Sequence, residues 1–270
     1  MYRSYWGLRQ NPFSNTFDAR FFFLTKDQEE AVRKFLNVFA ENKSVMLLVG
    51  PVGVGKTYLC KLIADQMRKA GVPAACMITP RLDVEHFCKE IARKLGLEDE
   101  ENRPLCEQGL YDKMRRQSEK SRSPAVPVLI LDEAQAIADD RTFEAIRLML
   151  DFDMNGRFLQ TLLLAGHDSL VPRLRVNESL NQRITVRHRL SPLTEDEASE
   201  YIDFRLKAAG AATQIFSPPA KKAVYDLSRG LPRIINALCD TAMVIAADER
   251  FLKINDDLIK RAGEKISYVN

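Results

Sequence analysis

Two apolar patterns alternate along the first part of the chain. Short uninterrupted apolar runs predict strands buried on both faces, and a mixed run predicts one more strand before Leu190; in order these are 45–49, 74–78, 126–131, 161–165 and 185–190. Between them, apolar positions recur with helical spacing, as over 27–42 and over 83–95, where Asp83 is the expected N-cap and Gly96 the stop. Alternating strands and helices are typical of an α/β protein with a parallel sheet.

Beyond Leu190 the pattern becomes helical throughout. Helices are predicted near 195–209, 218–228, 232–247 and 255–263. Thr194 and Glu197 fit a capping box, and Pro232 suits the first turn of a helix. The expected domains are therefore an α/β domain over 1–190, with an aromatic N-terminal segment, and a helical domain over 191–270.

The N-terminal segment, residues 1–25, contains much of the aromatic content of the chain. Polar and turn residues interrupt the aromatic positions, so we expect an irregular segment that packs on a domain. Pro12 and Phe13 have a second interpretation, in which they form part of the wall of a pocket for a nucleotide base.

A glycine-rich stretch follows the first predicted strand and precedes a helical pattern. Its sequence is Gly50-Pro51-Val52-Gly53-Val54-Gly55-Lys56-Thr57, with Tyr58 directly after it. The glycines let backbone N–H groups approach phosphates, Lys56 can reach the β- and γ-phosphates, and the Thr57 hydroxyl can ligate Mg²⁺. Strand, glycine loop and helix together predict a nucleoside triphosphate site formed by residues 50–58.

A carboxylate pair, Asp132-Glu133, ends the third predicted strand. An apolar strand ending in this pair downstream of a phosphate loop is the second half of a nucleotide-hydrolysing site. Asp132 is expected to hold Mg²⁺, and Glu133 to polarise the attacking water.

Polar residues also follow the fourth strand. His167 comes directly after it, and ligands of a parallel sheet lie beyond the carboxyl ends of the strands, so His167 is expected to face the nucleotide. Three consecutive residues, His167-Asp168-Ser169, cannot form a hydrolase triad. Several arginines come next, at Arg173, Arg175, Arg183, Arg187 and Arg189. In an oligomeric nucleotide hydrolase, one such arginine is expected to reach the neighbouring subunit's γ-phosphate.

Composition narrows the functional classes only a little. Forty basic and 37 acidic side chains leave a net charge of +3, which neither requires nor excludes nucleic acid as a partner. Five scattered cysteines without a C-x-x-C pair predict reduced thiols. No run approaches the roughly 20 apolar residues of a membrane helix, so we expect no membrane insertion and a cytoplasmic location.

Taken together, the motifs resemble an AAA+ ATPase of the ExeA (general secretion pathway) type. The residues that carry the resemblance are Tyr5-Trp6-Gly7-Leu8 with Asn11-Pro12-Phe13, the loop 50–57, Leu131-Asp132-Glu133-Ala134-Gln135, Leu180-Asn181-Gln182-Arg183-Ile184, and Gly230-Leu231-Pro232-Arg233-Ile234-Ile235-Asn236. The family implies a P-loop fold with a five-stranded parallel sheet, a central phosphate-loop strand and a C-terminal helical lid.

The resemblance also implies roles for individual residues. Arg183 matches the arginine finger, Arg233 matches the second sensor that reaches the γ-phosphate from the lid, and His167 takes the position of the first sensor. A Gln, Asn or Thr is the usual residue at that sensor position, but a neutral imidazole can still donate one hydrogen bond.

An oligomeric ATPase is the function that these features predict. ATP and Mg²⁺ are expected to bind between the two domains, and hydrolysis would drive remodelling or assembly of a partner complex by a ring or filament of this chain. The alternative is a transposition regulator that assembles on double-stranded DNA and recruits a transposase. A second alternative is a nucleotide-dependent switch with little turnover, against which the intact Asp132-Glu133 pair argues.

Overall fold

Strands and helices alternate as the apolar patterns predict. The computed structural model describes residues 2–78, 83–97, 104–120, 126–137 and 140–267. The strands of these residues are β1 (Val45–Val49), β2 (Ala74–Ile78), β3 (Val128–Asp132), β4 (Asp153–Met154), β5 (Arg157–Phe158), β6 (Thr161–Gly166) and β7 (Ile184–Arg189). The α-helices are α1 (Tyr2–Tyr5), α2 (Lys26–Ala40), α3 (Lys56–Lys69), α4 (Val84–Leu95), α5 (Glu107–Lys120), α6 (Asp140–Met149), α7 (Leu170–Val176), α8 (Glu178–Arg183), α9 (Glu195–Ala208), α10 (Pro218–Ser228), α11 (Pro232–Asp248) and α12 (Asp256–Ser267), and short 3-10 helices span Ala19–Phe21 and Ala134–Ala136.

Five parallel strands of the described chain form one sheet in the order β2-β3-β6-β1-β7. All residues of β1, β3 and β6 are buried, as expected for strands covered on both faces. The predicted five-stranded parallel sheet is confirmed, with one correction to the order. The phosphate-loop strand β1 is an inner strand, but β6 occupies the middle position, because β1 pairs directly with the edge strand β7.

Local signals define the helix that follows β2. The Asp83 side chain accepts a hydrogen bond from the His86 N–H, and Gly96 ends α4 in the left-handed conformation, with φ of 69°. Phe87 and Ile91 of α4 point into the core of the sheet. The predicted N-cap and stop of this helix are therefore both confirmed.

A small antiparallel hairpin, β4 with β5, was not predicted from the pattern. Its turn is Asn155-Gly156, and both residues have positive φ, 55° and 74°. Asn-Gly between short strands is a strong hairpin signal, but strands of two residues are too short to produce an alternating apolar pattern.

The residues after Leu190 are helical, as predicted. The Thr194 and Glu197 capping box begins α9, and Ser217 caps α10 with Pro218 in its first turn. Extended pairing within the described residues of this region is limited to an isolated bridge between Phe216 and Ile254. Buried apolar side chains of α9, α10, α11 and α12 form a second core.

Contacts divide the chain into two compact units. The helical unit contains the described residues of Met1–Lys26, Val52–Gly55 and Ser191–Asn270, and the sheet unit contains those of Asp27–Pro51 and Lys56–Leu190. The N-terminal segment thus groups with the C-terminal helices, whereas the predicted boundaries, 1–190 and 191–270, joined it to the α/β domain. The reason is its packing, since Leu8, Phe13 and Phe21 are buried in the helical core.

One buried arginine fastens the N-terminal segment within the helical unit. Arg205 of α9 is only 3% exposed. Its Nε donates to the Pro12 carbonyl oxygen at 2.5 Å, and its terminal nitrogens donate to the Ser14 and Phe21 carbonyls at 2.7 and 3.4 Å. The guanidinium also lies 5.1 Å from the centre of the Phe21 ring. Pro12 and Ser14 lie in irregular chain, and Phe21 is the last residue of a short 3-10 helix. The Arg205 side chain therefore donates hydrogen bonds to carbonyls that no neighbouring helix or sheet pairs.

Replacing this arginine tests its structural role. We expect Arg205→Met to lower the free energy of unfolding by about 2–4 kcal/mol, because it removes charged donors from buried carbonyls. Urea unfolding measures the change, and limited proteolysis within residues 2–25 should become faster. The matched control is Lys207→Met, at an exposed position of the same helix, which should change stability by less than about 0.5 kcal/mol. Equal stability of the two variants would contradict the role.

Candidate functional site

The glycine-rich loop leads from β1 directly into α3. Gly53 and Gly55 have φ of 84° and 109°, which residues with a side chain rarely adopt. Lys56 is 5% exposed, and its Nζ donates to the Gly50 and Pro51 carbonyls at 2.9 and 3.0 Å. Burial lowers the pKa of Lys56, and the Glu133 and Asp132 carboxylates oppose this shift. The lysine is therefore held at the loop with both carboxylates near enough to stabilise its charge.

Within the helical unit, the tip of the loop contacts the start of α11. The Arg233 N–H donates to the Gly53 carbonyl oxygen at 3.4 Å. The first N–H groups of a helix have no partner within the helix, and the N-cap of α11, Leu231, has no side-chain acceptor for them. The loop carbonyl therefore takes the place of a cap. A Cβ on Gly53 would lie 3.0 Å from the Arg233 Cβ. The Arg233 side chain is exposed.

Asp132, the last residue of β3, has no exposed surface. Burial raises the pKa of its carboxyl, while hydrogen bonds from the Thr57 side chain and the Glu133 N–H lower it. Its Oδ2 is buried and has no hydrogen-bond partner among the described residues. A buried carboxylate oxygen without a donor, next to a hydroxyl, fits the hard oxygen ligands that Mg²⁺ prefers. Among the described residues no cluster of three or more His, Cys, Asp or Glu side chains could hold a metal by itself, so further ligands would come from phosphate or water.

Glu133 takes an unusual backbone conformation immediately after the strand. Its φ is 54° and its ψ 37°, in the left-handed region. Its N–H donates to Asp132 Oδ1 at 2.9 Å, and its Oε2 accepts a hydrogen bond from Gln135 Nε2 at 2.5 Å. A non-glycine residue in this region costs about 1–2 kcal/mol, so the surrounding contacts must hold it there.

His167 follows β6 and is partly buried. Its N–H donates to Gln135 Oε1 at 2.9 Å, and its Nδ1 lies 3.1 Å from the Ser169 hydroxyl and 3.3 Å from the Ser169 N–H. A backbone N–H can only donate, so Nδ1 is the acceptor, and the neutral ring then carries its proton on Nε2. This tautomer has the N–H donor that the predicted sensor role requires.

The arginines after β6 have different surroundings. Arg183 ends α8 and forms an ion pair with Asp151. Arg189 pairs with both carboxylate oxygens of Asp168, and Arg187 donates to the Asn181 carbonyl and side chain. Arg173 donates to the Gln135 carbonyl oxygen at 2.8 Å and lies over the Phe143 ring. Arg183, Arg187 and Arg189 are thus each held by a partner within the sheet unit.

The remaining predicted site residues lie at the start of α3 and in the N-terminal segment. Tyr58 is in the first turn of α3, with a partly buried side chain. Phe13 is 3% exposed and packs edge to face on Phe216, with ring centres 6.0 Å apart. Pro12 contributes its carbonyl to Arg205. The packing interpretation accounts for these contacts, and the contribution of Pro12 and Phe13 to a base pocket stays a prediction.

The sequence motifs do not indicate a role for Gln135 of this site or for Arg205 of the helical unit. The motif Leu131-Asp132-Glu133-Ala134-Gln135 contains Gln135 but gives it no role, although its side chain contacts both Glu133 and His167. Arg205 belongs to no motif of the sequence. Gln135 follows the carboxylate pair by two positions, and this spacing was the available signal.

A glycine loop ending in a lysine at a helix start, beside a strand ending in an aspartate–glutamate pair, defines a P-loop nucleotide-binding protein. The model of the family described as AAA domain matches residues 40–174, which is half of the 270-residue chain. The chain belongs to this AAA domain family.

Similar proteins agree with this assignment. The chain is 28% identical to general secretion pathway protein A from Aeromonas hydrophila, in an alignment 270 positions long that covers 99% of the chain. It spans about half (49%) of that relative's length. The resemblance to the ExeA type is confirmed at this level. Among solved structures, Cdc6p from Pyrobaculum aerophilum has a TM-score of 0.72 at 19% identity, covering 93% of this chain and 71% of that one.

A second structural neighbour is the ORC2 protein of Aeropyrum pernix in ADPNP–ADP complexes. Its TM-score is 0.70 at 17% identity, covering 95% of this chain and 71% of that one. At such identities the likeness shows the fold, which confirms the predicted P-loop AAA+ architecture. Within the described part of the chain, no helix has both the length and the apolar character needed to cross a bilayer.

The burial of Asp132 generates a pH-dependent prediction. Burial raises the pKa of Asp132 in the folded protein above its value in the unfolded chain. As pH rises, the unfolded chain therefore loses this proton at a lower pH than the folded protein does. The free energy of unfolding falls through this range and becomes constant once pH exceeds the folded pKa. We expect Asp132→Asn to be more stable than the parent in EDTA. The gap should widen from about pH 4 upward and level off above the folded pKa.

Thermal unfolding across this pH range measures the gap. Asp65→Asn, at a surface position of α3, is the control and should show no such widening, since its side chain is 46% exposed. A parent protein that gained stability relative to Asp132→Asn as pH rose would contradict the assignment.

Proposed function

We propose that the chain is an ATP-hydrolysing AAA+ ATPase that oligomerises and couples Mg-ATP binding and hydrolysis to remodelling or assembly of a partner complex. The observation that carries this proposal is the convergence of Lys56, Asp132 and Glu133, in which both carboxylates act electrostatically on the buried lysine. Two carboxylates beside the lysine would repel the phosphates unless Asp132 held a cation. The second carboxylate, Glu133, is the group that supports hydrolysis in addition to binding.

Each residue has a role in the proposed reaction. Backbone N–H groups of the loop and the Lys56 ammonium bind the β- and γ-phosphates. Thr57 and Asp132 would hold Mg²⁺, which neutralises charge on the phosphate oxygens. Glu133 accepts a proton from the attacking water, and the Nε2–H of His167 is a donor toward the γ-phosphate.

Two arginines complete the proposed mechanism. Arg183 would act on the γ-phosphate of a neighbouring subunit, after release from its surface ion pair with Asp151. Its location at the end of a helix, with the side chain 40% exposed, supports such a role. Arg233 contacts the tip of the phosphate loop through Gly53. This contact supports a role for Arg233 in which a change at the phosphate loop, on binding or hydrolysis of ATP, moves the C-terminal helices.

The similarity to general secretion pathway protein A supports a protein assembly as the partner. A DNA-directed role is the second candidate. Two structural neighbours are Drosophila ORC bound to DNA and Aeropyrum pernix ORC1 in complex with DNA, at 13% and 16% identity. Faster ATP turnover with duplex DNA, and binding that weakens as salt rises, would favour this candidate; no response would favour a protein partner. The cytoplasmic location stays a prediction.

The catalytic assignment predicts different losses for two substitutions. We expect Lys56→Ala to lose ATP binding, because it removes the phosphate-neutralising ammonium. Glu133→Gln should bind ATP but release phosphate at least about 100-fold more slowly, because the amide cannot accept the proton of water. Calorimetry measures binding and a phosphate assay measures turnover. Lys69→Ala, at the exposed end of α3, is the control. Parental turnover by Glu133→Gln would contradict the assignment.

The shared-site proposal predicts complementation between inactive variants. Arg183→Ala and Glu133→Gln should each be nearly inactive alone. A mixture should recover part of the activity, because an intact Glu133 in one subunit then meets an intact Arg183 in its neighbour. Repeating the mixture with Arg187→Ala tests which arginine acts between subunits. No recovery in any mixture would exclude the shared site.

A further inference from the structure

The side chain of Gln135 joins the ends of two neighbouring strands. Gln135 lies in the short 3-10 turn Ala134–Ala136, directly after Glu133 and β3. Its Nε2 donates to Glu133 Oε2 at 2.5 Å, and its Oε1 accepts from the His167 N–H at 2.9 Å, at the end of β6. One planar amide thus spans from the carboxylate to the backbone that carries His167.

The orientation of this amide is fixed by its partners. The His167 N–H can only donate, so it requires an oxygen; the Glu133 carboxylate oxygen accepts, so it requires an NH₂ group. Reversing the amide would set two donors against each other at one end and two acceptors at the other. Gln135 therefore has a single orientation that satisfies both contacts.

The backbone and surroundings of Gln135 also restrict its movement. Its carbonyl oxygen accepts a hydrogen bond from Arg173 at 2.8 Å. The Ala136 N–H donates to the Glu133 carbonyl at 2.8 Å, which closes the turn. On the β6 side, Gly166 leaves room for the amide, because a Cβ there would lie 2.6 Å from Gln135 Oε1. Gly166 is not among the glycines with positive φ, so a side chain is excluded there by crowding and not by backbone conformation. The closest atom is Gln135 Oε1, followed by Leu170 Cδ2 at 3.0 Å from the added Cβ.

We propose that Gln135 is a positioning residue that couples the His167 backbone to the Glu133 carboxylate. The inference rests on the proposed ATP hydrolysis, since it deepens the description of that same site. Holding Oε2 orients the carboxylate and leaves Oε1 for the attacking water. A shift of the turn that carries His167 would move the amide, and the amide would move the Glu133 carboxylate. The position of the end of β6 therefore affects the position of Glu133 through two hydrogen bonds. Gln135 itself touches neither phosphate nor water in this role.

Kinetics of three variants test the coupling. We expect Gln135→Ala and Gly166→Ala each to lower kcat by about 10- to 100-fold with KM nearly unchanged, because a misplaced carboxylate slows the chemical step and not binding. In Gly166→Ala the added methyl group pushes the amide away from the His167 N–H. Once the amide is absent, the nearest neighbours of this methyl group are Leu170 Cδ2 at 3.0 Å, the end of a flexible side chain, and the Ala134 nitrogen at 3.6 Å. The double variant should therefore be at most about twofold slower than Gln135→Ala.

The matched control is Gly263→Ala, a helical glycine of the helical unit where a Cβ would lie 3.2 Å from Leu227 Cδ1. It should keep the parental kcat. Parental kcat in both single variants, or losses that multiply fully in the double variant, would overturn the proposal.

A second measurement does not depend on turnover. The side-chain amide signals of Gln135 in a nitrogen-15 NMR spectrum are identified by their loss in Gln135→Ala. They should move in Gly166→Ala and in Glu133→Ala and stay in place in Gly263→Ala; unmoved signals in the first two variants would overturn the proposal. If the parent chain hydrolysed no ATP, the proposed function would fail, and the NMR result alone would decide the role of Gln135.

Discussion

Two opposite charges are buried at the end of the sheet where the phosphate loop begins. Lys56 is 5% exposed and Asp132 is fully buried, so both groups have lost most of their hydration. Burial lowers the pKa of the lysine and raises that of the aspartate, and the attraction between them opposes both shifts. The loop carbonyls of Gly50 and Pro51 and the Glu133 N–H solvate these charges in place of water.

This arrangement is costly for the protein alone and favourable for a charged ligand. Phosphate oxygens would neutralise Lys56, and a divalent cation would neutralise Asp132, whose Oδ2 has no hydrogen-bond partner in the described residues. The strands that hold the pair, β1 and β3, are buried along their full lengths, and their apolar packing offsets the cost. The burial of these charges thus lowers the stability of the protein alone and raises the affinity of the site for a charged ligand.

The parts of this structure that could be predicted are those determined by residues close together in the sequence. The bounds of β1 and β2 follow from apolar runs, the ends of α4 from Asp83 and Gly96, and the phosphate loop from eight consecutive residues. The contacts of Arg205 and Gln135 join residues far apart in the chain: Arg205 bonds to a carbonyl 193 positions away, and Gln135 to an N–H 32 positions away. No local pattern encodes such pairs. For the same reason, the packing of Phe13 and Phe21 among C-terminal helices could not be read from their neighbours.

The carboxylate pair itself requires a departure from regular structure. Successive side chains of a strand point to opposite faces, so Asp132 and Glu133 could not both act on Lys56 if β3 continued. The strand ends at Asp132, and Glu133 adopts a left-handed conformation that turns its side chain, so that both carboxylates act on the lysine. That conformation is unfavourable for a glutamate, and glycine would adopt it at less cost. The hydrogen bonds to Asp132 Oδ1 and from Gln135 are therefore needed to hold the chain in the one conformation in which two adjacent residues act on the same site.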